Sequence, residues 1–268
     1  MLRRILLPIL LGLILGACSN FSKVMKSTDP KEKYEAAVAY YEEKDYYRAG
    51  LLFEDVMPAF VGAAESEQLQ FYYAYCHFYQ SQYLLANHYF KSFFNTYNRS
   101  PYAEEALYMS AYSLYKDTPR YNLDQSNTND AIGEMQDFLN RYPASEYAPE
   151  ANRIILELRQ KLEKKAFENA MQYAQLRRYK AASVALDNFM KDYPDSELKE
   201  QAMFKKLEAE FELAKISIPS KQQERFETAL ITYKKFSSKY PDSEYFKTAS
   251  KISDAATKEL DRITASVR

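Results

Sequence analysis

Residues 182–196 read ASVALDNFMKDYPDS, and the spacing within this phrase decides the fold because the chain carries it four times. The phrase sets an Ala, a Leu, a Phe and a Tyr at steps of 4, 3 and 4 residues, which keeps all four side chains on one face of a helix. The other copies have aromatic or apolar residues at the same spacing and begin at Ala86, Ala131 and Ala229. Internal repetition of this kind indicates a stack of similar helical units.

Each copy ends in residues that stop one helix and begin the next. Three copies place Pro directly after the Tyr, and all four then carry a Ser; Pro disfavours continuation of a helix, and Ser can cap the following one. We therefore predict an all-α fold of about five tetratricopeptide-like hairpins, stacked over residues 31–268 as a right-handed solenoid with a C-terminal capping helix. The predicted hairpins span about 31–60, 66–100, 102–143, 150–194 and 199–241, with the cap at 245–263.

The first seventeen residues have the layout of a secretory signal. A positive start is followed by an apolar run that is too short to span a membrane. Leu15 and the small residues Gly16 and Ala17 before Cys18 resemble the lipobox of bacterial lipoproteins, in which the Cys is lipidated. We predict a lipoprotein signal peptide at 1–17, a lipidated Cys18 that anchors the chain to a membrane, and a flexible tether over 18–30. An ordinary signal peptide with an incidental Cys is the alternative.

Composition argues against nucleic-acid binding and against catalysis. The formal net charge of −1 gives no basic field for nucleic acid. The chain has five Gly residues, which is few for a protein with a Gly-rich phosphate-binding loop. The two histidines, His77 and His88, are eleven residues apart, and no metal-ligand or nucleophile motif accompanies them. We expect a chain that is not an enzyme and has no cofactor, no metal and no nucleic-acid partner.

Hairpin three carries the most specific motif. Residues 121–128 read YNLDQSNT, and the helix that follows ends in RYPASEY at 141–147. Asp124, Gln125 and Thr128 are suited to local caps and turn contacts before that helix. Together with the lipobox-like segment and the chain length, these residues resemble the BamD family of outer-membrane assembly lipoproteins. The first hairpin departs from the family pattern at residues 56–58, where Val-Met-Pro replaces the usual Phe and Tyr-Pro.

The resemblance implies a lipid-anchored adaptor at the outer membrane that faces the periplasm. In BamD-like proteins the N-terminal repeats receive the C-terminal signal of unfolded barrel clients, and the C-terminal repeats dock on the last POTRA domain of the barrel insertase BamA. Another periplasmic tetratricopeptide lipoprotein, one that scaffolds cell-wall enzymes or a transporter, is an alternative. A carbohydrate-binding surface lipoprotein is a third reading, which the absence of Trp disfavours.

The first helices of hairpins one to three present many aromatic residues at the positions that face a tetratricopeptide groove. Tyrosine offers a wide contact area and a hydroxyl that tolerates water, so these rings suit an extended, aromatic-containing peptide. Packing of the rings between neighbouring hairpins is the alternative. The predicted groove residues are Tyr34, Tyr41, Phe71, Tyr75, Phe78, Tyr79, Tyr108, Tyr112 and Tyr115.

Hairpins four and five carry clusters of basic residues that could dock the insertase. Charge runs of this kind are also common on solvated helix surfaces, which is the alternative. The predicted docking residues are Arg177, Arg178, Lys180, Lys199, Lys205 and Lys206.

Overall fold

The computed structural model describes residues 20–267, and every regular element within this range is helical. The predicted all-α fold is therefore confirmed for this part of the chain, whereas the segment predicted as a signal peptide and Cys18 lie outside the described residues. The helices are α1 Pro30–Glu42, α2 Tyr46–Val56, α3 Ser66–Tyr79, α4 Tyr83–Thr96, α5 Ala103–Asp117, α6 Ser126–Arg141, α7 Ala148–Gln175, α8 Tyr179–Asp192, α9 Lys199–Lys215, α10 Pro219–Lys239 and α11 Phe246–Val267.

The helices are arranged in hairpins of tetratricopeptide type. Consecutive helices joined by short turns pack against each other in α1–α2, α3–α4, α5–α6 and α9–α10, and α11 packs on α10. Phe167 of α7 lies 5.4 Å from Phe189 of α8, measured between ring centroids. Where residues 56–58 depart from the family pattern, a short 3-10 helix at Met57–Phe60 follows α2.

The repeated phrase forms the buried face of the second helix in hairpins two to five. In every copy the Ala is fully buried and the Phe seven residues later is at most 2% exposed. The small Ala lets the paired helix approach, and the Phe fills the space between helices, which stabilises the fold by about 1.5–3 kcal/mol per ring. The four buried pairs are Ala86 and Phe93, Ala131 and Phe138, Ala182 and Phe189, and Ala229 and Phe236.

The Ser of each copy shapes the turn between hairpins instead of capping the next helix. Its hydroxyl accepts the backbone N–H two residues further on, at 3.0–3.2 Å in all four copies. Ser196, for example, accepts from Leu198, and α9 begins only after that residue. A hydroxyl in this geometry stands in for a backbone turn contact, so the predicted capping role is corrected to a turn-forming role.

The chain divides into two compact units after Leu158, within α7. In unit 1, the first part of α7 contributes Ile154 and Leu158 to the core that hairpins two and three share. In the same unit, hairpin one and one face of α3 share a second cluster around Phe53 and Leu69. In unit 2, the last part of α7 packs on α8 through Phe167, and the α9–α11 helices enclose smaller apolar clusters.

The segment predicted as a flexible tether is ordered over its described part. Residues 20–25 are helical, and the Phe21 ring lies edge-on to Tyr40 at 5.7 Å. Val24 is buried in the cluster of hairpin one, and Asp29 caps α1 by accepting the Lys31 N–H at 2.9 Å. We call residues 20–29 the N-terminal strap. The tether prediction was wrong here because packing on hairpin one orders a segment with no periodicity of its own.

Candidate protein-binding surfaces

Four of the nine predicted groove residues of unit 1 come together with Tyr46 in one run of touching rings. Tyr46 stacks on Tyr79 at 4.3 Å, and Phe78 touches both Tyr79 and Tyr112 at 5.6 and 5.8 Å between centroids. Tyr112 in turn lies 5.6 Å from Tyr115. We call these five residues the aromatic ladder. Tyr79 is 49% exposed and the other four are half-buried, so the ladder keeps part of its ring surface open to solvent.

Three predicted groove residues lie in the core instead. Phe71, Tyr75 and Tyr108 are each less than one-tenth exposed and belong to the cluster shared by hairpins two and three. The Tyr75 hydroxyl donates to Glu105, and burial raises the pKa of that phenol. These rings support the ladder from behind, because Tyr75 stacks on Tyr79 and Tyr108 stacks on Tyr112.

Tyr34 and Tyr41 are half-buried and lie outside the ladder. The Tyr34 ring packs on Phe60 at 5.0 Å, and its hydroxyl donates to Gln68 at 2.8 Å. Tyr41 stacks on Tyr72 at 4.3 Å and reaches the ladder only through the edge of Tyr46. Sequence reasoning missed Tyr46 because it begins the second helix of hairpin one, and only first helices were read for groove positions.

Carboxylates stand at one end of the ladder. The Tyr115 hydroxyl donates to Glu157 at 3.1 Å, and Arg153 bridges Glu157 and Glu150 at 3.0 and 2.7 Å. The hydrogen bonds from Arg153 hold the pKa of the Glu150 carboxyl below its usual range. Aromatic faces beside hydrogen-bond acceptors suit an extended peptide that brings aromatic side chains and unpaired backbone N–H groups.

Unit 2 carries an open groove of about 650 Å³ between the α7–α8 turn and the end of α9. We call it the basic groove. Its apolar floor includes Tyr173, Val184 and Ile216, which are 45%, 54% and 64% exposed. Exposed apolar side chains gathered in one concavity are typical of a binding surface.

Three predicted docking residues form the rim of this groove. Arg177, Arg178 and Lys180 are exposed and line it, and none of them forms an ion pair with another residue of the described chain. Arg177 adopts a left-handed φ of 55°. The same turn position of hairpins one and two is also left-handed, at Lys44 and Ser81, so this backbone conformation belongs to the hairpin turn and is not special to the groove.

Comparison with known protein families identifies the family of this chain. The family model YfiO, described as outer membrane lipoprotein, matches residues 26–226. The chain belongs to this family. No curated protein matches significantly. The matched range includes the aromatic ladder and the basic groove of this YfiO-family chain, and it agrees with the resemblance to BamD at the level of an outer membrane lipoprotein.

The other three predicted docking residues of the YfiO-family chain are engaged internally. Lys199 donates to the Pro194 carbonyl at 2.5 Å, and Lys205 pairs with Glu208 at 2.8 Å. Lys206 is paired with Asp187 at 2.5 Å and lies 3.8 Å from Glu210. These three side chains are therefore engaged by partners within the chain, whereas Arg177, Arg178 and Lys180 at the rim of the basic groove remain available for docking.

The polar motif of hairpin three has the local role predicted for it. Gln125 is buried, donates to the Arg120 and Leu123 carbonyls at 2.8 and 3.0 Å, and accepts from the Thr128 hydroxyl at 2.8 Å. Asp124 accepts the Ser126 N–H at 2.9 Å. The motif therefore fixes the α5–α6 connection.

Among residues 20–267, no helix is long and apolar enough to cross a membrane.

Proposed function

We propose that this YfiO-family lipoprotein is an adaptor of the outer-membrane β-barrel assembly machinery. The basic groove docks the POTRA-containing barrel insertase, the aromatic ladder receives peptides of unfolded barrel clients, and lipidated Cys18 anchors the chain on the periplasmic side of the outer membrane. The family match supports an outer membrane lipoprotein, and the two surfaces supply one binding function each.

The main observation behind this proposal is the basic groove. An apolar floor rimmed by three unpaired cations favours a partner that offers an apolar side chain flanked by carboxylates. Exposed cations of this kind accelerate encounter and select against wrong partners, while the apolar floor supplies contact area. A folded domain with an acidic edge would meet that description, and the resemblance to BamD implies that a POTRA domain is the partner.

The ladder supports the second half of the proposal. Its rings differ in exposure, but they touch one another in a continuous run across hairpins one to three. An extended client segment with alternating aromatic residues would stack on successive rings, and its N–H groups would meet the nearby carboxylates. Tethering both partners on one anchored chain raises the effective concentration of client beside the insertase without any bond chemistry.

The test is a pull-down of the tagged full-length chain from mild-detergent extracts, with mass spectrometry of the co-eluting proteins. The proposal predicts a POTRA-containing outer-membrane barrel at near one-to-one ratio. Recovery of cell-wall enzymes or transporter subunits in its place would keep the fold and overturn this function. An untagged strain processed in parallel controls for proteins that bind the resin.

A further inference from the structure

The N-terminal strap determines where the chain leaves hairpin one. Phe21 packs on Tyr40, and the Arg48 guanidinium lies 5.6 Å from the ring centroids of both residues. Tyr40 and Arg48 flank the α1–α2 turn, whereas Pro30, at the other end of the strap, begins α1. The strap therefore runs back along α1, and its residue-20 end lies at the α1–α2 turn.

Several contacts hold the strap along its length. Val24 is 8% exposed within the cluster of hairpin one, and Met25 packs against the same cluster. The Ser27 N–H donates to the Val24 carbonyl at 3.0 Å, and the Ser27 hydroxyl donates to Glu32. The half-buried Phe21 ring and the buried Val24 side chain make this segment part of unit 1 and not a free linker.

The strap limits the reach of the lipid anchor. Cys18 precedes Phe21 by three residues, and three extended residues span at most about 11 Å. A free twelve-residue tether would instead give a root-mean-square distance of about 20 Å and a far longer maximum. An acylated Cys18 is therefore held close to the α1–α2 turn.

We propose that the α1–α2 turn of hairpin one rests on the phospholipid surface, with Tyr47 as its membrane contact. This inference relies on the proposed lipidation of Cys18. Tyr47 is 64% exposed at the start of α2, although its neighbour Tyr46 is stacked within the ladder. An exposed Tyr at a membrane-facing position suits the interface, because its ring is apolar and its hydroxyl reaches water.

The charged residues at the turn do not favour electrostatic attraction to anionic lipid, so the proposed contact depends on the Tyr47 ring at the membrane interface. Glu42, Glu43 and Lys44 are exposed, and Asp45 pairs with Arg48 at 3.3 Å. Acidic groups outnumber basic groups among these five residues, so they provide no polybasic attraction to anionic lipid. The contact is accordingly expected in neutral phosphatidylcholine vesicles and at high salt.

The experiment places a fluorophore at the turn of the lipidated full-length chain. Burial raises the pKa of the Cys76 thiol to about 12, so labelling selects the introduced thiol of Tyr47→Cys. Val61→Cys, 80% exposed beyond the far end of α2, is the matched control. Both labelled proteins are reconstituted into phosphatidylcholine vesicles that carry a nitroxide on a fraction of the headgroups.

The proposal predicts loss of fluorescence at position 47 and little loss at position 61 in protein that floats with the vesicles. Phe21→Ala with Val24→Ala should then reduce quenching at 47 to the level at 61 while flotation persists. If the double variant melts much earlier, Phe21→Ala alone serves the same purpose. Equal quenching at both positions, or none at 47 in floating protein, would overturn the membrane contact. Protein that does not float at all would contradict lipid anchoring itself.

Discussion

Glu210 is a carboxylate in α9 that is only 6% exposed. One of its oxygens accepts from the Ser183 hydroxyl at 2.9 Å, whereas Oε2 is buried without a hydrogen-bond partner. The nearby Thr232 side chain and Lys206, at 3.8 Å, partly compensate for the burial of this charge, whereas the Asp187 carboxylate adds to the rise of the Glu210 pKa. Burial is the largest influence and raises the pKa of the Glu210 carboxyl, because a charged group is costly to remove from water.

This raised pKa gives a pH dependence of definite sign. The folded chain retains the Glu210 proton above the ordinary carboxyl pKa of 4.5, so the free energy of unfolding falls as pH rises through the folded pKa. We expect Glu210→Gln to remove this fall, which means that the variant gains stability relative to the parent chain between about pH 5 and pH 7. Urea denaturation at both pH values measures the difference.

Glu224→Gln is the control of opposite sign. A hydrogen bond from Lys221 holds the pKa of the Glu224 carboxyl below its usual 4.5, so its contribution to stability is lost only as pH falls through that lower value. Its replacement should leave the slope between about pH 5 and pH 7 unchanged. A parent chain whose stability rises over this interval, with Glu210→Gln parallel to it, would refute the account of Glu210.

Individual tyrosines of unit 1 should separate into binding residues and core residues. We expect Tyr79→Ala to weaken binding of an aromatic-rich barrel peptide by about 1–2 kcal/mol with little change in melting temperature, because the ring is half exposed. Tyr75→Ala should instead cost about 3–5 kcal/mol of folding stability. Fluorescence anisotropy and thermal melting measure the two effects.

Tyr47→Ala is the control, because it removes an exposed ring outside the ladder and should leave peptide affinity unchanged. Equal losses of affinity from Tyr47→Ala and Tyr79→Ala would contradict the ladder as the peptide-binding site.

Sequence reasoning could place the tyrosines on the right helices but could not sort them by burial. Tyrosine is amphipathic, and α3 carries aromatic residues around most of its circumference, so the pattern does not reveal which side meets α5. Phe71 and Tyr75 turned out to face the core, while Phe78 and Tyr79 lie at the surface. That distinction depends on contacts with hairpins that are distant in sequence, such as the Tyr75–Glu105 hydrogen bond.

At the scale of the elements, Glu134 of α6 ties three helices together. Its carboxylate accepts from Asn87 of α4 and from Ser110 of α5, both at 2.8 Å, and pairs with Lys91 of α4 at 2.5 Å. Asn87 also donates to the Ser110 hydroxyl at 2.8 Å. Ser110 is fully buried, so this polar network depends on its shared acceptor.

Removal of that acceptor should destabilise hairpins two and three. We expect Glu134→Ala to lower the free energy of unfolding by about 1–3 kcal/mol, because buried donors lose their partner. Glu35→Ala, which breaks only an exposed pair with Lys31 at 4.0 Å, is the control and should change stability by less than about 0.5 kcal/mol. Comparable effects of the two variants in urea denaturation would show that the network contributes little.

The hairpins could be predicted because each helix carries several turns of periodic apolar residues. The capping helix, expected at 245–263, runs from Phe246 to Val267. The N-terminal strap was missed because Phe21 and Val24 make up a single helical turn, which is too short for periodicity to be detected. The strap is ordered by its contacts with Tyr40 and Arg48. These residues are distant from the strap in the sequence, so the local pattern does not reveal the contacts.

At the scale of the whole molecule, the proposed lipid anchor at Cys18 would determine where the two proposed binding surfaces operate. We expect Cys18→Ala to leave the hairpins folded and to release the chain from membranes, because acyl chains contribute about 0.8 kcal/mol per buried CH2. Fractionation followed by circular dichroism of the released protein measures both effects. Retention of Cys18→Ala in the membrane pellet after a high-salt wash would show that a different feature holds the chain there.

The cations that line the basic groove could be predicted from the sequence only in part. Basic residues in hairpins four and five were visible in the sequence, but their partners were not. Lys205 is neutralised by Glu208, three residues away, and Lys206 by Asp187, on a different helix. Among residues 20–267, Arg177 and Arg178 of the α7–α8 turn form no ion pair, so both charges are available to a partner.

The most direct test of the proposed docking measures the affinity of the full-length chain in detergent for the periplasmic POTRA domains of the insertase. Simultaneous Arg177→Glu, Arg178→Glu and Lys180→Glu should weaken binding by about tenfold or more, since 1.4 kcal/mol corresponds to a factor of ten. Lys234→Glu, Lys235→Glu and Lys251→Glu, which change the same charge at exposed positions outside the groove, should bind like the parent chain. Equal affinity of both triple variants would contradict the basic groove as the docking site.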